Sequence, residues 1–584
     1  MKHDMKRDLG AAAFFIALAI AMTWPLARIL DRGVAYPQDP FHLTWILDWD
    51  WYATLHQPLR LFQANIFYPA KDALAYSEHL YGMAIFLFPL RMLGLSALTA
   101  HNVAVILGFA FTGFAAYLLG RTLTGSALAG VAAGIFFAHL PWRFTQLPHT
   151  HNLWAGWLPL LVVALIHCAR KPGWRSATMF GLVFLLNGLS NLHYFVFGSF
   201  AIALSVPLVV RDRGQWLRIA AATLIALALI TPFLIPYFRV ARETGMQRSW
   251  AEVKSWSATP SDWLNPGATN RFYRRLFDPK SDPERWLFPG VAGIALACAG
   301  ILTARRERRT LAVALLWMAI GFVGSLGVHA FLHRFLFAHA PGFRALRVPA
   351  RWAVDAYLGM TMLIAFATAW RRWIAVAAAV VFIVELHAAP IRWHCTSPQI
   401  PPVYTWLKTQ RGAIAELPLD ADREWYYLRF ATEHHLPMVN GVSSFDAPRF
   451  VALANEPHDK LMQDLRALGV RLIIVHGPDA DRVGTMTFRA PTGGTLDEPP
   501  PNAYFRYKAR FAGTARSDYG VRQVNLLFDN GGVSIPAQLA GSRFVAEFAQ
   551  RPDNIRRDTD VQVEIIDGRG ERTLLEGRWF WWGP

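Results

Sequence analysis

One polar segment near the N-terminus concentrates side chains that can move protons. It reads DRGVAYPQDPFHLTWILDWDWYAT and, further on, NIFYPAKDALAYSEHLYG. Asp39 stands in a Pro-Gln-Asp-Pro turn, where a stiff backbone would hold a carboxylate in place as a general base. The same residue type in the same place also caps helices, so an Asx turn starting a helix near Phe41 is the competing reading. Asp48 and Asp50 flank Trp49 as D-x-D, a pattern able to offer hard oxygens to a divalent cation such as Mg or Mn. On a helix, however, positions i and i+2 diverge, and an interfacial aromatic helix with solvated acids accounts for them as well. Trp45, Trp49 and Trp51 would then stack on a sugar or sit among headgroups. Glu78 and His79 form a further acid/base pair in the same segment.

A second group of residues is basic. In FAHLPWRFTQLPHTHN, His149 and His151 are spaced as a pair of metal ligands without a third in sequence, or as polar ends of a helix hairpin. Arg143 in the same stretch, and Arg344, Arg347 and Arg351 in PGFRALRVPARWAVDAYLG, are guanidinium groups suited to a phosphate, or to snorkelling at a helix end. A helical start would stack Arg347 and Arg351 on one face and bring Asp355 to Arg351 at i+4. An acid inside an apolar helix is costly, so Asp355 is expected to pair with Arg351 or to line a wet cavity, and pairing is the first reading. Asn187, Asn191, His193, Glu385 and His387 are further polar groups near helix ends.

The elements that must position these residues follow from composition. The chain has 584 residues, 54% apolar or aromatic and only 17% charged, with 23 Trp and a net charge of +17. Disorder, fibres and a small disulfide scaffold are excluded. Charge-free runs of bilayer length recur near 11–28, 98–120, 125–141, 152–169, 176–192, 194–210, 219–238, 287–304, 310–330, 349–370 and 373–390, about eleven spans on a ~20-residue template. With a cytoplasmic N-terminus carrying Lys2, Lys6 and Arg7, alternation puts the short basic clusters at Arg121, Lys171, Arg211, Arg305 and Arg371 on the cytoplasmic side. Most of the positive excess is thus an orientation signal, and a nucleic-acid partner is not expected.

The opposite side receives a first outer loop from about 31 to 97, a second large loop from about 239 to 286, and the tail. An apolar stretch at 80–95 would invert the charge pattern if it spanned, so it is read as a helix lying at the outer interface or dipping into it. The expected fold is mainly α: a polytopic membrane helix bundle over 1–390, followed by a soluble outer domain over 391–584. That tail starts with α/β signals (VYTWLKTQ, AIAELPL, LMQDLRALG, VRLIIVH) and turns to alternating β from about 505.

This layout resembles the membrane-embedded glycosyltransferases of the C superfamily, which include protein mannosyltransferases and aminoarabinose transferases. The stretches QDPFHLTWILDW, NIFYPAKDALAYSEHLYG, YLLGRTLTGSALAGVAAGIFFAHLPWRFTQLPHTHNLWAGWLPL, SATPSDWLNP, PGFRALRVPARW and LPMVNGVSS are similar to an uncharacterised bacterial branch of that group. The resemblance implies an enzyme of the cytoplasmic membrane that takes a sugar from a polyprenyl-phosphate donor on the outer face. The acceptor would be an envelope glycan, lipid or protein. An acid of the first outer loop activates the acceptor hydroxyl in these enzymes, and Asp39 matches that position. Arg143, Arg347 and Arg351 would hold the donor phosphate, with Asp48, Asp50, Glu78, His79 and Asp355 lining the cavity or acceptor site. Some members bind a divalent metal and others do not, and no clear ligand set of theirs matches here; His149 and His151 are candidate ligands from their spacing alone. Two other classes stay open: a transporter or flippase of lipid-linked saccharides, and a non-catalytic envelope assembly protein.

Overall fold

The computed structural model describes residues 2–583 except 274, 276, 341, 479 and 507, and the side chains from residue 5 onward; the Lys2 side chain of the basic N-terminus lies outside the described residues. The chain divides into two compact units that do not follow its order. One comprises Met1–Trp24, Glu78–Phe88 and Ala104–Ala389; the other comprises Pro25–Ser77, Pro89–Val103 and Pro390–Pro584.

The first unit is helical, and a helix overlaps each of the eleven apolar runs. Among the described residues six helices are long and apolar enough to cross a membrane: Ala97–Thr124, Thr150–Arg170, Leu192–Val209, Arg213–Thr244, Arg308–Ser325 and Pro349–Ala369. The others, among them Ala127–His139, Val291–Thr303 and Arg372–Glu385, are shorter, except Lys2–Met22, whose first turns carry charge. Side chains at the ends stop fraying. Ser126 accepts from Ala129 N–H, and Asp212 accepts from both Gly214 and Gln215 N–H at the start of the longest helix, which ends at Gly245 with φ +68°.

Burial differs sharply between these helices. The apolar window of Pro349–Ala369 is 89% buried, so its neighbours surround it; that of Arg213–Thr244 is only 28% buried, leaving Leu217, Leu224, Ile225, Leu229 and Phe238 exposed. An apolar face of that size is unfavourable in water and natural in lipid. This is the construction of a multi-pass membrane protein. Around the central helix the backbones nearly touch: a Cβ on Gly300 would lie 2.2 Å from the Leu363 carbonyl oxygen, and one on Gly321 2.1 Å from the Ala356 nitrogen. Small residues at such crossings are how helices pack without a hydrophobic driving force.

The 80–95 stretch is not one interfacial helix. It forms two short turns, Tyr81–Ala84 and Phe88–Met92. Pro89 cannot donate to a preceding carbonyl, which keeps the two from fusing.

The second unit joins the first loop to the tail. Gly33–Val34 pairs antiparallel with His394–Cys395, and the helix Asp39–His56 packs against Ala421–His434. Tail strand Ile414–Leu417 runs parallel to Leu472–His476, and Asp481–Val483 and Met486–Phe488 add antiparallel to it. From Thr492 the chain makes two facing sheets. One has Val521–Phe528 and Asp558–Asp567 at its centre; the other has Ala509–Ser517 and Arg543–Phe548. Their inner faces supply Phe511, Phe544, Val524, Leu526, Val563 and Phe580 to one core, the alternation expected of a β-sandwich.

Candidate functional site

In the helical unit, polar side chains collect at helix ends into a buried network. Arg351 is 4% exposed and forks onto Glu284, with Nη2 2.6 Å and Nε 3.2 Å from Oε1. Gln146 Nε2 donates to the other Glu284 oxygen at 3.0 Å, and His149 Nδ1 stands 3.7 Å from Oε1. Burial alone would raise the Glu284 carboxyl, but the Arg351 charge, then His149 and the hydrogen bonds, hold it at about 2. Gln146 continues the chain by accepting from Asn152 at 2.7 Å, and Asn152 Oδ1 accepts from Asn191 at 2.8 Å. Asn191 in turn caps the helix Leu192–Val209, whose first turn carries His193. His193 Nδ1 meets Glu78 at 2.7 Å, and Leu192 N–H donates to the second Glu78 oxygen at 3.0 Å. Burial pushes the Glu78 carboxyl up, yet His193, His151 and that N–H keep it well below the carboxylate range.

Arg143 stands at the edge of this network, 1% exposed. Its Nη1 donates to the Asn152 carbonyl at 2.6 Å and its Nε to the Phe137 carbonyl at 3.4 Å, with the Phe137 ring 5.0 Å away. Among the described residues no carboxylate pairs with it; the ionisable groups that act on it are the phenols of Tyr194 and Tyr357. Burial lowers its pKa from the arginine value.

Two expectations fail here. Asp355 does not pair with Arg351: that guanidinium is taken by Glu284, and both Asp355 oxygens are buried without a hydrogen bond. Nor do Arg347 and Arg351 share a helix face. Arg347 lies in an irregular segment, Arg351 in the 3-10 turn Pro349–Trp352, and the α-helix starts only at Ala353. Pro349 disfavours helical backbone at Val348, so the i, i+4 geometry never forms. Arg347 instead sits over Trp256, with Glu252 3.9 Å away. His79 is buried against Phe233, its backbone N–H donating to Tyr237; burial lowers the imidazole to about 4. His149 and His151 rings are 6.1 Å apart and nearly perpendicular, and among the described residues no three His, Cys, Asp or Glu side chains are grouped to hold a metal ion.

In the other unit, Asp39 opens the helix Asp39–His56 as its first residue. It is not the cap: Gln38 occupies that position, and the Gln38 side chain makes no capping bond. The carboxylate therefore sits at the positive end of the helix, one turn before His42, whose pKa burial lowers to about 4 although Asp39 opposes the shift. The reading of solvated acids on an interfacial helix is overturned as well. Asp48 and Asp50 are buried, Asp48 within an ion pair to Arg91 at 2.6 Å and a contact with His435 Nε2 at 2.7 Å. The Trp45 and Trp49 indoles point inward, donating to Asn65 at 2.9 Å and to the Leu61 carbonyl at 2.7 Å.

Sequence reasoning missed Glu284, the acid that organises the arginine cluster. Its signal was modest: an Asp-Pro-Glu-Arg turn at the end of the second large loop, just before an apolar run. Gln146 and Asn152, uncharged, offered none.

Fold and polar network together define a multi-pass membrane protein with a strand-rich C-terminal region. The chain belongs to the family described as a domain of unknown function, DUF6311, whose model matches residues 14–386. No curated protein matches it. Among solved structures it is similar to ArnT from Cupriavidus metallidurans in the apo state, at 12% identity over 81% of this chain and 93% of that one; the TM-score of 0.33 is too low to define a shared fold.

Proposed function

We propose that this protein is an integral membrane glycosyltransferase that moves a sugar from a polyprenyl-phosphate donor to an acceptor hydroxyl on the outer face of the cytoplasmic membrane. The observation that carries the reading is Arg143. A buried guanidinium that no carboxylate among the described residues pairs with leaves several kcal/mol of charge uncompensated, and a lipid phosphate would supply that anion. Arg351, by contrast, is already neutralised by Glu284 and serves to fix the network. In the transfer step a carboxylate, the role that the resemblance implies for Asp39, takes the acceptor proton as the acceptor oxygen bonds to the anomeric carbon. The bond from that carbon to the phosphate oxygen breaks, its electron pair leaves with the lipid phosphate, and Arg143 stabilises that charge.

The test is mass analysis of lipid-linked sugars and envelope glycans in a deletion strain complemented with wild type, Asp39→Asn or Arg143→Met. Wild type should restore a missing glycan or consume an accumulated donor, and both variants should fail at equal expression. Full restoration by Asp39→Asn would remove the base from the scheme.

A further inference from the structure

The C-terminal sandwich carries a groove that the transfer chemistry does not use. Along Val521–Phe528 the side chains alternate: Val524, Leu526 and Phe528 enter the core, so Gln523, Asn525 and Leu527 face the other way. On the adjacent strand Asp558–Asp567 the same alternation turns Glu564 and Ile566 to that outer face. The segment at Gln399 and the strand Arg572–Leu574 wall this face into a cavity of about 590 Å3, which Arg32 and Ser534 also line. That volume lies within the roughly 300–1,000 Å3 of small-molecule sites.

The polar heads are fixed in a row. Gln523 Nε2 donates to Asn525 Oδ1 at 2.7 Å, Asn525 Nδ2 donates to Glu564 Oε2 at 2.7 Å, and Arg572 Nη1 stands 3.5 Å from Glu564 Oε1. Asn525 and Glu564 are each only 6% exposed, unlike the solvated outer face of an ordinary sheet. By valence, the Gln523 carbonyl, the second Asn525 N–H and further Arg572 donors stay available, a mixture of donors and acceptors at fixed positions. The charges largely cancel: Arg572 faces Glu564, and Arg32 Nη1 is 2.9 Å from Asp31. Leu527, Ile566 and Leu574 add apolar patches beside the polar row. Alternating hydroxyls and C–H faces on an uncharged framework are what such a surface complements.

We infer that the groove binds a stretch of uncharged oligosaccharide and so holds the acceptor glycan. The word acceptor rests on the glycosyl-transfer reading; the binding does not. The test uses full-length protein in nanodiscs, with oligosaccharides released by mild acid from the producing strain's envelope polysaccharide as the probe and saturation-transfer NMR as the readout. Gln523→Ala and Arg572→Ala alter exposed side chains and spare the core; Glu564→Gln keeps the shape and removes the charge. Wild type and Asp39→Asn should bind alike, while the three groove variants bind at least about tenfold more weakly at unchanged melting temperature. Unaltered binding by the exposed-residue variants, displacement of the saccharide by inorganic phosphate, or no binding by wild type would overturn the inference. Binding without any transfer would sink the transfer reading alone, and transfer with groove-independent binding would sink the groove alone.

Discussion

Replacing Glu284 by Gln keeps the side-chain shape and strips Arg351 of its counter-charge. Both partners are nearly excluded from solvent, at 5% and 6% side-chain exposure. Removing one partner of such a pair costs about 3–5 kcal/mol, because the remaining ion stays buried. An independent route gives a similar figure: a carboxyl held at about 2 instead of the ordinary glutamate value is stabilised by about 3 kcal/mol at neutral pH. For a unit of roughly 320 residues, an unfolding entropy of about 2.1 cal/mol/K per residue turns that loss into a fall of about 4–7 °C in melting temperature. The assay is thermal unfolding of purified protein in detergent, wild type against Glu284→Gln, with Glu284→Leu/Arg351→Met as the paired control. The double change should cost less than the single one, since it leaves no orphan charge. The pH dependence carries a sign. The folded pKa lies below the unfolded one, so the contribution is complete above about 4.5 and vanishes as pH falls through about 2; the wild-type advantage over Glu284→Gln should shrink in that window. A single variant that melts within about 1 °C of wild type, or a double variant as unstable as the single, would refute this account of the cluster.

Arg143→Met should leave stability unchanged or raise it, because an unpaired buried cation gives way to an apolar side chain of similar length, while transfer falls about 10²–10³-fold; a drop of several degrees in melting would mark Arg143 as structural. Asp39→Asn should abolish transfer yet shift stability by no more than about 1 kcal/mol, the usual worth of a first-turn charge, and circular dichroism melts check it. In the tail, His476 sits between Glu416 and Asp481 at 2.7 and 2.8 Å; burial would lower its pKa, but those hydrogen bonds and charges raise it to about 9. Its folded pKa exceeds the unfolded one, so about 3 kcal/mol present below pH 6.5 should fade as pH rises through about 9, seen as faster proteolysis of the tail that His476→Asn makes pH-independent.

Helices, strands and their order were legible because each depends on local periodicity. Apolar runs of bilayer length appear as helices, and the alternation after residue 505 appears as sheet. What local rules could not supply were partners distant in sequence. Arg351 was given a neighbour four residues away, whereas its carboxylate lies 67 residues back, and Pro349 removes the helix on which the closer pairing depended. One of the readings of Asp48, a solvated acid, fails for the same reason: its His435 contact spans 387 residues. Asp39 was legible as a position in a turn, but its failure to cap required the backbone at Gln38.

That 387-residue span also sets a clock. At about 5–20 residues per second of synthesis, the helix that opens with Asp39 leaves the ribosome roughly 20–80 s before His435 exists to meet Asp48. The first loop must therefore wait, short of the tail that buries its acids, while every intervening helix is made. A nascent or truncated chain that stops short of His435 lacks that contact, and leaves Asp48 with Arg91 alone of these two partners.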